Sequence, residues 1–299
     1  MFVRFAALAA ALLAGCAPAS AQDELSEGTP LPEFFRQCEG KDGWADPAPP
    51  IRVYGNIYDV GTCGIVVLLL AGDEGHILVD TGPAEAAPLV AANIRALGFA
   101  LDEVKWMVTS HEHHDHVGGV AALQALTGAK LAANAAASHQ LATGTYDPAD
   151  PQFGINPPFD AARVDRVMQD GEELTLGRLK LTMHATPGHS PGSTSWTWQS
   201  CDGIRDCPTV AYVDSLTSVS ADDYRYSDHP EYLAAFRRTI DKIDAIECDF
   251  VITPHPGASQ FYERLAGDAP LFNDFSCSHR AEFARGQLEE RLAREAAGQ

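Results

Sequence analysis

The chain has 299 residues, enough for one large domain or two small ones with a full hydrophobic core. Hydrophobic residues make up 45% of it and charged residues 21%, which is ordinary for a globular protein. The formal net charge of −20, with no block of basic residues, argues against a nucleic acid or an anionic membrane surface as an electrostatic partner.

The first 21 residues have the pattern of an export signal peptide. Arg4 is their only charged side chain, residues 5–13 are apolar and small residues follow. The apolar run is too short to span a membrane. Residues 13–16 (Leu-Ala-Gly-Cys) resemble a bacterial lipobox, which would leave Cys16 lipidated, whereas Ala-Ser-Ala at 19–21 is typical of ordinary cleavage. We therefore expect a periplasmic protein that contacts the membrane only if Cys16 carries lipid.

The cysteine content agrees with export. Removing Cys16 from the seven cysteines leaves an even set, which favours disulfides in an exported protein. Six cysteines can pair in many ways, but Cys201 and Cys207 flank a turn and are close in sequence. If that pair forms, the sequential choice for the others is Cys38 with Cys63 and Cys248 with Cys277.

The mature chain, residues 22–299, begins with a predicted extended arm and continues with alternating groups of strands and helices. Residues 22–50 are rich in Pro, Gly and acidic residues, with Trp44 as a lone surface anchor. Runs typical of strands, bounded by turn residues, lie at 51–58, 64–70, 76–80, 104–108, 130–133, 163–168, 174–176, 179–185, 193–198, 210–213 and 250–253. Runs typical of helices lie at 84–97, 117–126, 232–246 and 281–297.

This order predicts an α/β fold of one domain. Each half of the chain carries strands and then helices, which suits two packed β-sheets with helices outside, one sheet from each half. Residues 143–165 form a long segment rich in Pro, Asp, Asn and Gly, and a loop of that length inside a compact domain is usually functional or mobile.

Residues 111–116 hold the densest group of metal-ligand side chains. His111, His113, Asp115 and His116 follow a buried strand and precede a helix that opens through a Gly-Gly pair. Imidazole and carboxylate are the usual ligands of zinc. Four ligands so close together cannot all bind one tetrahedral ion without strain, so they suit two adjacent ions. The alternative, a solvated His-rich loop that scavenges metal, fits the strand–loop–helix setting less well.

Two further histidines can complete the two ions. His189, in Pro-Gly-His-Ser-Pro-Gly, and His255, in Thr-Pro-His-Pro-Gly, each follow a strand-like run beside Pro and Gly. Together they supply one missing ligand to each ion. Asp80 leaves an apolar strand and is either a turn cap or an acceptor that orients a metal-bound imidazole. His114 is out of phase with its neighbours and is not assigned as a ligand.

These motifs resemble the metallo-β-lactamase superfamily. The resemblance rests on His-x-His-x-Asp-His at 111–116, Leu-Val-Asp-Thr-Gly at 78–82, Pro-Gly-His at 187–189 and the late strand-end His255. It implies an αββα sandwich of two mixed sheets with helices on the outer faces and a dinuclear zinc site between the sheets. The superfamily also includes thioesterases of glyoxalase II type, lactonases and phosphodiesterases, which we keep as alternatives beside a non-enzymatic zinc-binding protein.

Finer motifs resemble the third subclass of metallo-β-lactamases: Pro-Gly-His-Ser-Pro-Gly-Ser-Thr-Ser-Trp at 187–196, Tyr-Val-Asp-Ser-Leu-Thr at 212–217 and Thr-Pro-His-Pro-Gly-Ala-Ser at 253–259. The implied ligands are His111, His113 and His189 for the first zinc ion, and Asp115, His116 and His255 for the second. The six cysteines resemble those of disulfide-rich members, which favours the sequential pairing.

The same resemblance implies the chemistry. A hydroxide bound to the metal, positioned by Asp115, would open the amide of a penicillin, cephalosporin or carbapenem and confer antibiotic resistance, with Ser215 and Thr217 contacting the substrate. No serine has the surroundings of a covalent nucleophile with its own base. Asp214 leaves open the alternative of a thioesterase, because superfamily thioesterases have an aspartate near this position that bridges the two metal ions. No protein partner is implied.

Overall fold

The computed structural model describes residues 26–202, 207–272 and 276–298. The predicted signal peptide, with both cleavage sites and Cys16, lies outside the described residues. Within the described ranges, no helix combines the length and the apolar character needed to cross a lipid bilayer.

Two mixed β-sheets are built from successive halves of the chain, as predicted. The first sheet has the order β1-β2-β3-β4-β5-β6-β7, antiparallel up to β4 and parallel from β4 onwards. The second has the order β12-β11-β10-β9-β8, with β11 and β12 parallel and the others antiparallel. The strands are β1 (Ile51–Tyr54), β2 (Ile57–Asp59), β3 (Leu68–Leu70), β4 (His76–Val79), β5 (Val104–Val108), β6 (Lys130–Asn134), β7 (Val164–Met168), β8 (Glu173–Leu176), β9 (Leu179–Ala185), β10 (Thr194–Gln199), β11 (Thr209–Tyr212) and β12 (Phe250–Ile252).

Eight α-helices lie within the described residues, and helices cover the outer faces of both sheets. They are α1 (Leu31–Cys38), α2 (Ala87–Ala96), α3 (His114–Val117), α4 (Val120–Thr127), α5 (Ala135–Thr143), α6 (Pro230–Asp244), α7 (Phe261–Ala266) and α8 (Cys277–Ala296). Alternate residues of one strand face different layers, as the period of two requires. In β3, Leu68 packs between the sheets and Leu69 packs under α2 and α4. In β11, Tyr212 faces the other sheet and Ala211 faces α6 and α8. The αββα sandwich is confirmed.

Local structure differs from the prediction in several places, three of which have a clear physical reason. The predicted arm contains α1, whose Phe34 is buried against Tyr262 with ring centroids 4.9 Å apart, a contact that residues 22–50 alone do not reveal. The run at 51–58 is two strands, because the chain turns at Gly55 with φ +52°. Residues 135–143 form α5, capped by the Asn134 side chain; its Ala-rich sequence has good helix propensity but weak period.

Three disulfides join sequential cysteines. Cys38–Cys63 ties α1 to the segment before β3, and Cys201–Cys207 closes the loop between β10 and β11. Cys248–Cys277 ties the start of α8 to the segment just before β12. Each constrains a connection rather than a strand, so the sheets themselves depend on apolar packing.

Candidate metal centre

The predicted ligand residues come from loops that meet at one edge of the sandwich. The first follows β5, the second joins β9 to β10, and the third follows β12. The strand pairings show that β9, β11 and β12 run in the same direction. The loops that follow these strands therefore leave from the same end of the second sheet. Asp80 leaves β4 at the edge where the parallel strand β5 also ends. The site therefore lies where the strand ends of both sheets converge.

Three histidines form the first group of potential ligand atoms. One ring nitrogen from each of His111, His113 and His189 lies within 4.8 Å of the others. All three side chains are buried, and their ring centroids lie 4.7–5.1 Å apart. Three imidazoles around a common point are a donor set that zinc favours.

A second group adjoins the first through a shared residue. Atoms of His111, Asp115 and His116 lie within 4.8 Å of one another. His255 contacts this group, with its Nε2 3.2 Å from Nε2 of His116 and 3.4 Å from Oδ2 of Asp115. The His255 side chain is 35% exposed, so this side of the centre faces solvent. The structure thus brings all six predicted ligand residues together.

The charges of these groups suit a cation. Burial and the neighbouring imidazoles lower the pKa of His111 and of His189, so both rings are neutral at neutral pH and offer a lone pair. Burial opposes charge on His116 and Asp115, but their mutual attraction is larger. It raises the pKa of His116 to about 10 and holds the pKa of Asp115 well below its usual range. His116 and Asp115 therefore share one proton at neutral pH. A bound metal ion could supply this positive charge in its place.

Carboxylates orient two of the rings. Oδ1 of Asp214 lies 2.8 Å from Nδ1 of His111, and Oδ2 of Asp150 lies 2.9 Å from Nε2 of His113. Each contact occupies one ring nitrogen and leaves the other for a metal, which fixes the tautomer and the direction of the ring. This contact favours an orienting role for Asp214 over a bridging one.

Two more of the five rings contact neighbouring polar groups. Thr217 contacts Nδ1 of His189 through its hydroxyl at 2.8 Å and its carbonyl oxygen at 3.2 Å. Oδ2 of Asp80 lies 3.3 Å from Nδ1 of His116. Asp80 also accepts hydrogen bonds from the Ser110 backbone N–H and hydroxyl, at 2.6 and 2.7 Å, so its position is fixed from several sides. Of the two interpretations of Asp80, the geometry supports the orienting one.

The predicted substrate contacts lie beside the first group. The hydroxyl of Ser215 is buried and meets no hydrogen-bond partner in the part of the chain that the structure describes. The hydroxyl of Thr217 is committed to His189. Ser215 is therefore the freer of the two to contact a ligand.

Sequence reasoning missed three residues of this centre. Asp150 and Gln152 lie in the long loop after α5; Nε2 of Gln152 is 3.2 Å from Nε2 of His189, and the Gln152 backbone N–H donates to Asp150. Glu112 is fully buried and accepts hydrogen bonds from the Ser190 hydroxyl and the Gly192 N–H, which joins the two histidine loops. The length of the 143–165 loop indicated that this segment has a function, but nothing in the local sequence singles out the side chains of Asp150 and Gln152.

The rim of the centre is aromatic and apolar. The Trp44 side chain is 44% exposed, and its ring centroid lies 5.4 Å from that of His114 and 6.0 Å from that of His255. Phe153 and Ile155, just after Gln152, are about half exposed. Trp44 is thus part of the site entrance rather than a remote surface anchor.

Comparison with a family model and with solved structures identifies one family. Residues 60–204 match the family model described as the metallo-beta-lactamase superfamily. The crystal structure of the metallo-β-lactamase MIM-1 from Novosphingobium pentaromativorans is 50% identical and superposes with a TM-score of 0.86, covering 89% of this chain and 98% of that one. MEM-A1, a subclass B3 metallo-β-lactamase from a soil metagenome library, is 38% identical with a TM-score of 0.82, covering 86% of this chain and all of that one (100%).

Curated sequences give more distant matches. A hydroxyacylglutathione hydrolase of Anaeromyxobacter dehalogenans is 29% identical over 233 residues, which are 77% of this chain and 72% of that protein. The chain spans about half the length of most of the curated relatives that it matches first. The near-complete coverage of solved metallo-β-lactamases at up to 50% identity decides the family. The chain belongs to the metallo-β-lactamase superfamily, and its structural neighbours are subclass B3 metallo-β-lactamases.

Proposed function

We propose that the protein is a zinc-dependent β-lactamase, which hydrolyses the ring amide of penicillins, cephalosporins and carbapenems and so confers antibiotic resistance. One observation carries the proposal: two adjoining groups of buried ligand side chains meet at the strand ends, in a chain that superposes on solved subclass B3 metallo-β-lactamases. The imidazole and carboxylate donors fit zinc.

Two zinc ions are assigned to the two groups. His111, His113 and His189 would hold the first through the ring nitrogens that Asp214, Asp150 and Thr217 do not contact; on His189 this nitrogen contacts the Gln152 amide, which the ion would replace. The second would be held by three residues: Asp115, His116 and His255. Bound zinc acts as a Lewis acid on a carbonyl and lowers the pKa of water.

The chain's own side chains position the reactants. Asp115 would orient the attacking water through its carboxylate, since it belongs to the second group of ligands, which adjoins the first through His111. Ser215 would donate a hydrogen bond to the substrate through its uncommitted hydroxyl, with Thr217 as a secondary contact. The aromatic and apolar rim around Trp44 would shield the bound drug from water.

No serine of the centre is set up as a covalent nucleophile. The Ser110 hydroxyl donates to Asp80, and the Ser190 hydroxyl donates to Glu112. Ser215 has no base in hydrogen-bond contact among the described residues. Ser110 and Ser190 are fully buried, and Asp80 and Glu112 also accept backbone N–H bonds, so these carboxylates fix the loops and do not serve as dedicated bases. Water is therefore the nucleophile in our scheme.

The proposed location is the periplasm, as a mature chain from about residue 22 that forms a single domain. The disulfides fit an oxidising compartment. There a small-molecule β-lactam is a natural substrate, because these drugs act on the cell wall.

A thioesterase of glyoxalase II type is the second candidate function. The matches to hydroxyacylglutathione hydrolases favour it, at 27–32% identity and mostly over less than half of this chain. The contact of Asp214 with Nδ1 of His111 speaks against it, because a bridging aspartate would face the metals rather than the outer ring nitrogen.

Parallel assays separate the two functions. Zinc-loaded protein is tested against nitrocefin, a carbapenem and a glutathione thioester, with chelator-treated protein as the control. We expect turnover of the first two and little of the third. Efficient thioester hydrolysis without β-lactam turnover would refute the proposal. Expression in a susceptible bacterium should raise the inhibitory drug concentration.

A further inference from the structure

Arg280 is a buried arginine that reaches the stretch 214–217 from the C-terminal helix. It lies on α8, three residues after Cys277, and only 2% of it is exposed. Its Nη2 donates a hydrogen bond to the backbone carbonyl of Ser215. The disulfide between Cys248 and Cys277 holds the start of α8 beside β12, so the base of the arginine is anchored.

The guanidinium is charged where an apolar side chain would fill the space at less cost. Burial lowers the pKa of Arg280 to about 10 and the charge of Asp214 opposes this, so the group stays protonated at neutral pH. Its Nε and Nη1 are buried and meet no acceptor in residues 26–202, 207–272 or 276–298. Burying a charge is unfavourable unless it makes compensating contacts. Packing alone does not account for an arginine at this position.

The stretch 214–217 connects two of the histidines. Asp214 contacts His111 and Thr217 contacts His189, each at 2.8 Å. Between them Leu216 has φ +47°, a left-handed conformation that residues other than glycine rarely adopt. Such a conformation persists only when the surroundings hold it. The bond from Arg280 to the Ser215 carbonyl acts on the peptide group directly before this kink.

We propose that Arg280 is a positioning residue, which fixes the Ser215 carbonyl and thereby holds Asp214 against His111 and Thr217 against His189. Its effect on catalysis rests on the proposed function. Its effect on the stretch 214–217 does not.

Three variants test the role. Arg280→Met keeps a long side chain without charge or donors, and Arg280→Lys restores the charge and one donor group. Leu288→Ala is the matched packing control, because Leu288 is buried on the same helix and in the same apolar cluster as Leu216, but has no polar group that could bond the Ser215 carbonyl. Each is compared with the wild type by amide hydrogen exchange, by zinc affinity in competition with a chromophoric chelator, and by kcat and KM for nitrocefin.

We expect faster exchange in peptides covering residues 213–217 of Arg280→Met. We also expect a loss of about tenfold in one of two zinc-binding steps, because the contacts of Asp214 with His111 and of Thr217 with His189 would weaken together, and an increase in KM that exceeds the fall in kcat. Arg280→Lys should recover part of each. Leu288→Ala should lower Tm without changing the exchange of these peptides or the zinc affinity.

Wild-type amide exchange at residues 213–217 in Arg280→Met would overturn the proposal. Changes in exchange and zinc affinity of the same size in Leu288→Ala, at a similar loss of Tm, would overturn it as well. If Arg280→Met does not fold, Arg280→Lys decides: faster exchange at 213–217 with unchanged zinc affinity would count against the role, whereas exchange and zinc affinity that change together or are both restored would support it. Wild-type protein that binds zinc but hydrolyses no β-lactam would refute the proposed function, while the exchange and zinc comparisons still decide the role of Arg280.

Discussion

Replacing Asp214 with asparagine distinguishes an orienting residue from a metal ligand. Oδ1 of Asp214 lies 2.8 Å from Nδ1 of His111, and both side chains are almost completely buried. Asparagine keeps an acceptor oxygen at that position but loses the charge. A hydrogen bond to a charged group contributes about 1.5–3 kcal/mol and a neutral one about 0.5–1.5 kcal/mol. The expected loss is therefore about 1 kcal/mol, or about fivefold in zinc affinity.

The assay is elemental analysis of zinc after dialysis, followed by kcat/KM for nitrocefin at saturating zinc. We expect Asp214→Asn to retain both ions and most of its activity. If Asp214 instead bridges the metals, as an aspartate does in superfamily thioesterases, the variant loses an ion outright. That loss would refute the orienting role and move the chain towards the thioesterases.

Two companion variants calibrate the result. Asp115→Asn should lose zinc and most activity, because Asp115 is assigned as a ligand and as the residue that orients water. Ser215→Ala should keep both ions and lose a few-fold to about tenfold in KM or kcat, since a neutral hydrogen bond contributes about 0.5–1.5 kcal/mol. A Ser215→Ala variant identical to wild type in every assay, beside an Asp214→Asn variant without one ion, would reverse our assignment.

The remaining predictions concern metal, disulfides and pH. Saturated protein should hold two zinc ions, about 3.5–4 Å apart, and chelation should abolish activity until zinc is returned; full activity with one ion or none would contradict this. Peptide mapping of non-reduced protein should give Cys38–Cys63, Cys201–Cys207 and Cys248–Cys277, and free thiols or crossed pairs would show the assignment to be wrong. Burial raises the pKa of Asp59 to about 7, although hydrogen bonds from Gly61, Tyr262 and Val67 oppose the shift. The folded chain then binds more protons than the unfolded chain between about pH 4 and 7, so the free energy of unfolding should fall as pH rises through that window. Asp59→Asn should flatten this dependence in urea titrations at several pH values, and an unchanged slope would exclude Asp59 as its source.

The ligand residues were predictable because their signals are local. His111, His113, Asp115 and His116 lie within six residues at a strand end, and His189 and His255 stand beside Pro and Gly in the same setting. Strand ends of a layered fold converge on common edges, so residues there can be expected to meet. The two sheets could be predicted equally well, because their strands are dominated by apolar residues and are bounded by clear turn residues.

Other features depended on contacts between distant segments. α1 is held by Phe34 packing on Tyr262, far along the chain. The contact between Asp150 and His113 joins residues 37 apart in sequence, and that between Asp214 and His111 joins residues 103 apart.

The sequence by itself therefore determined the fold class, the family resemblance and the residues available to bind metal. Only the tertiary structure decided which ring nitrogens of His111 and His113 contact Asp214 and Asp150, that Asp80 approaches His116, and that Arg280 reaches the Ser215 carbonyl. The reason is physical. A ligand type is a property of one side chain, whereas its orientation is set by hydrogen bonds from partners that only folding brings within about 3 Å.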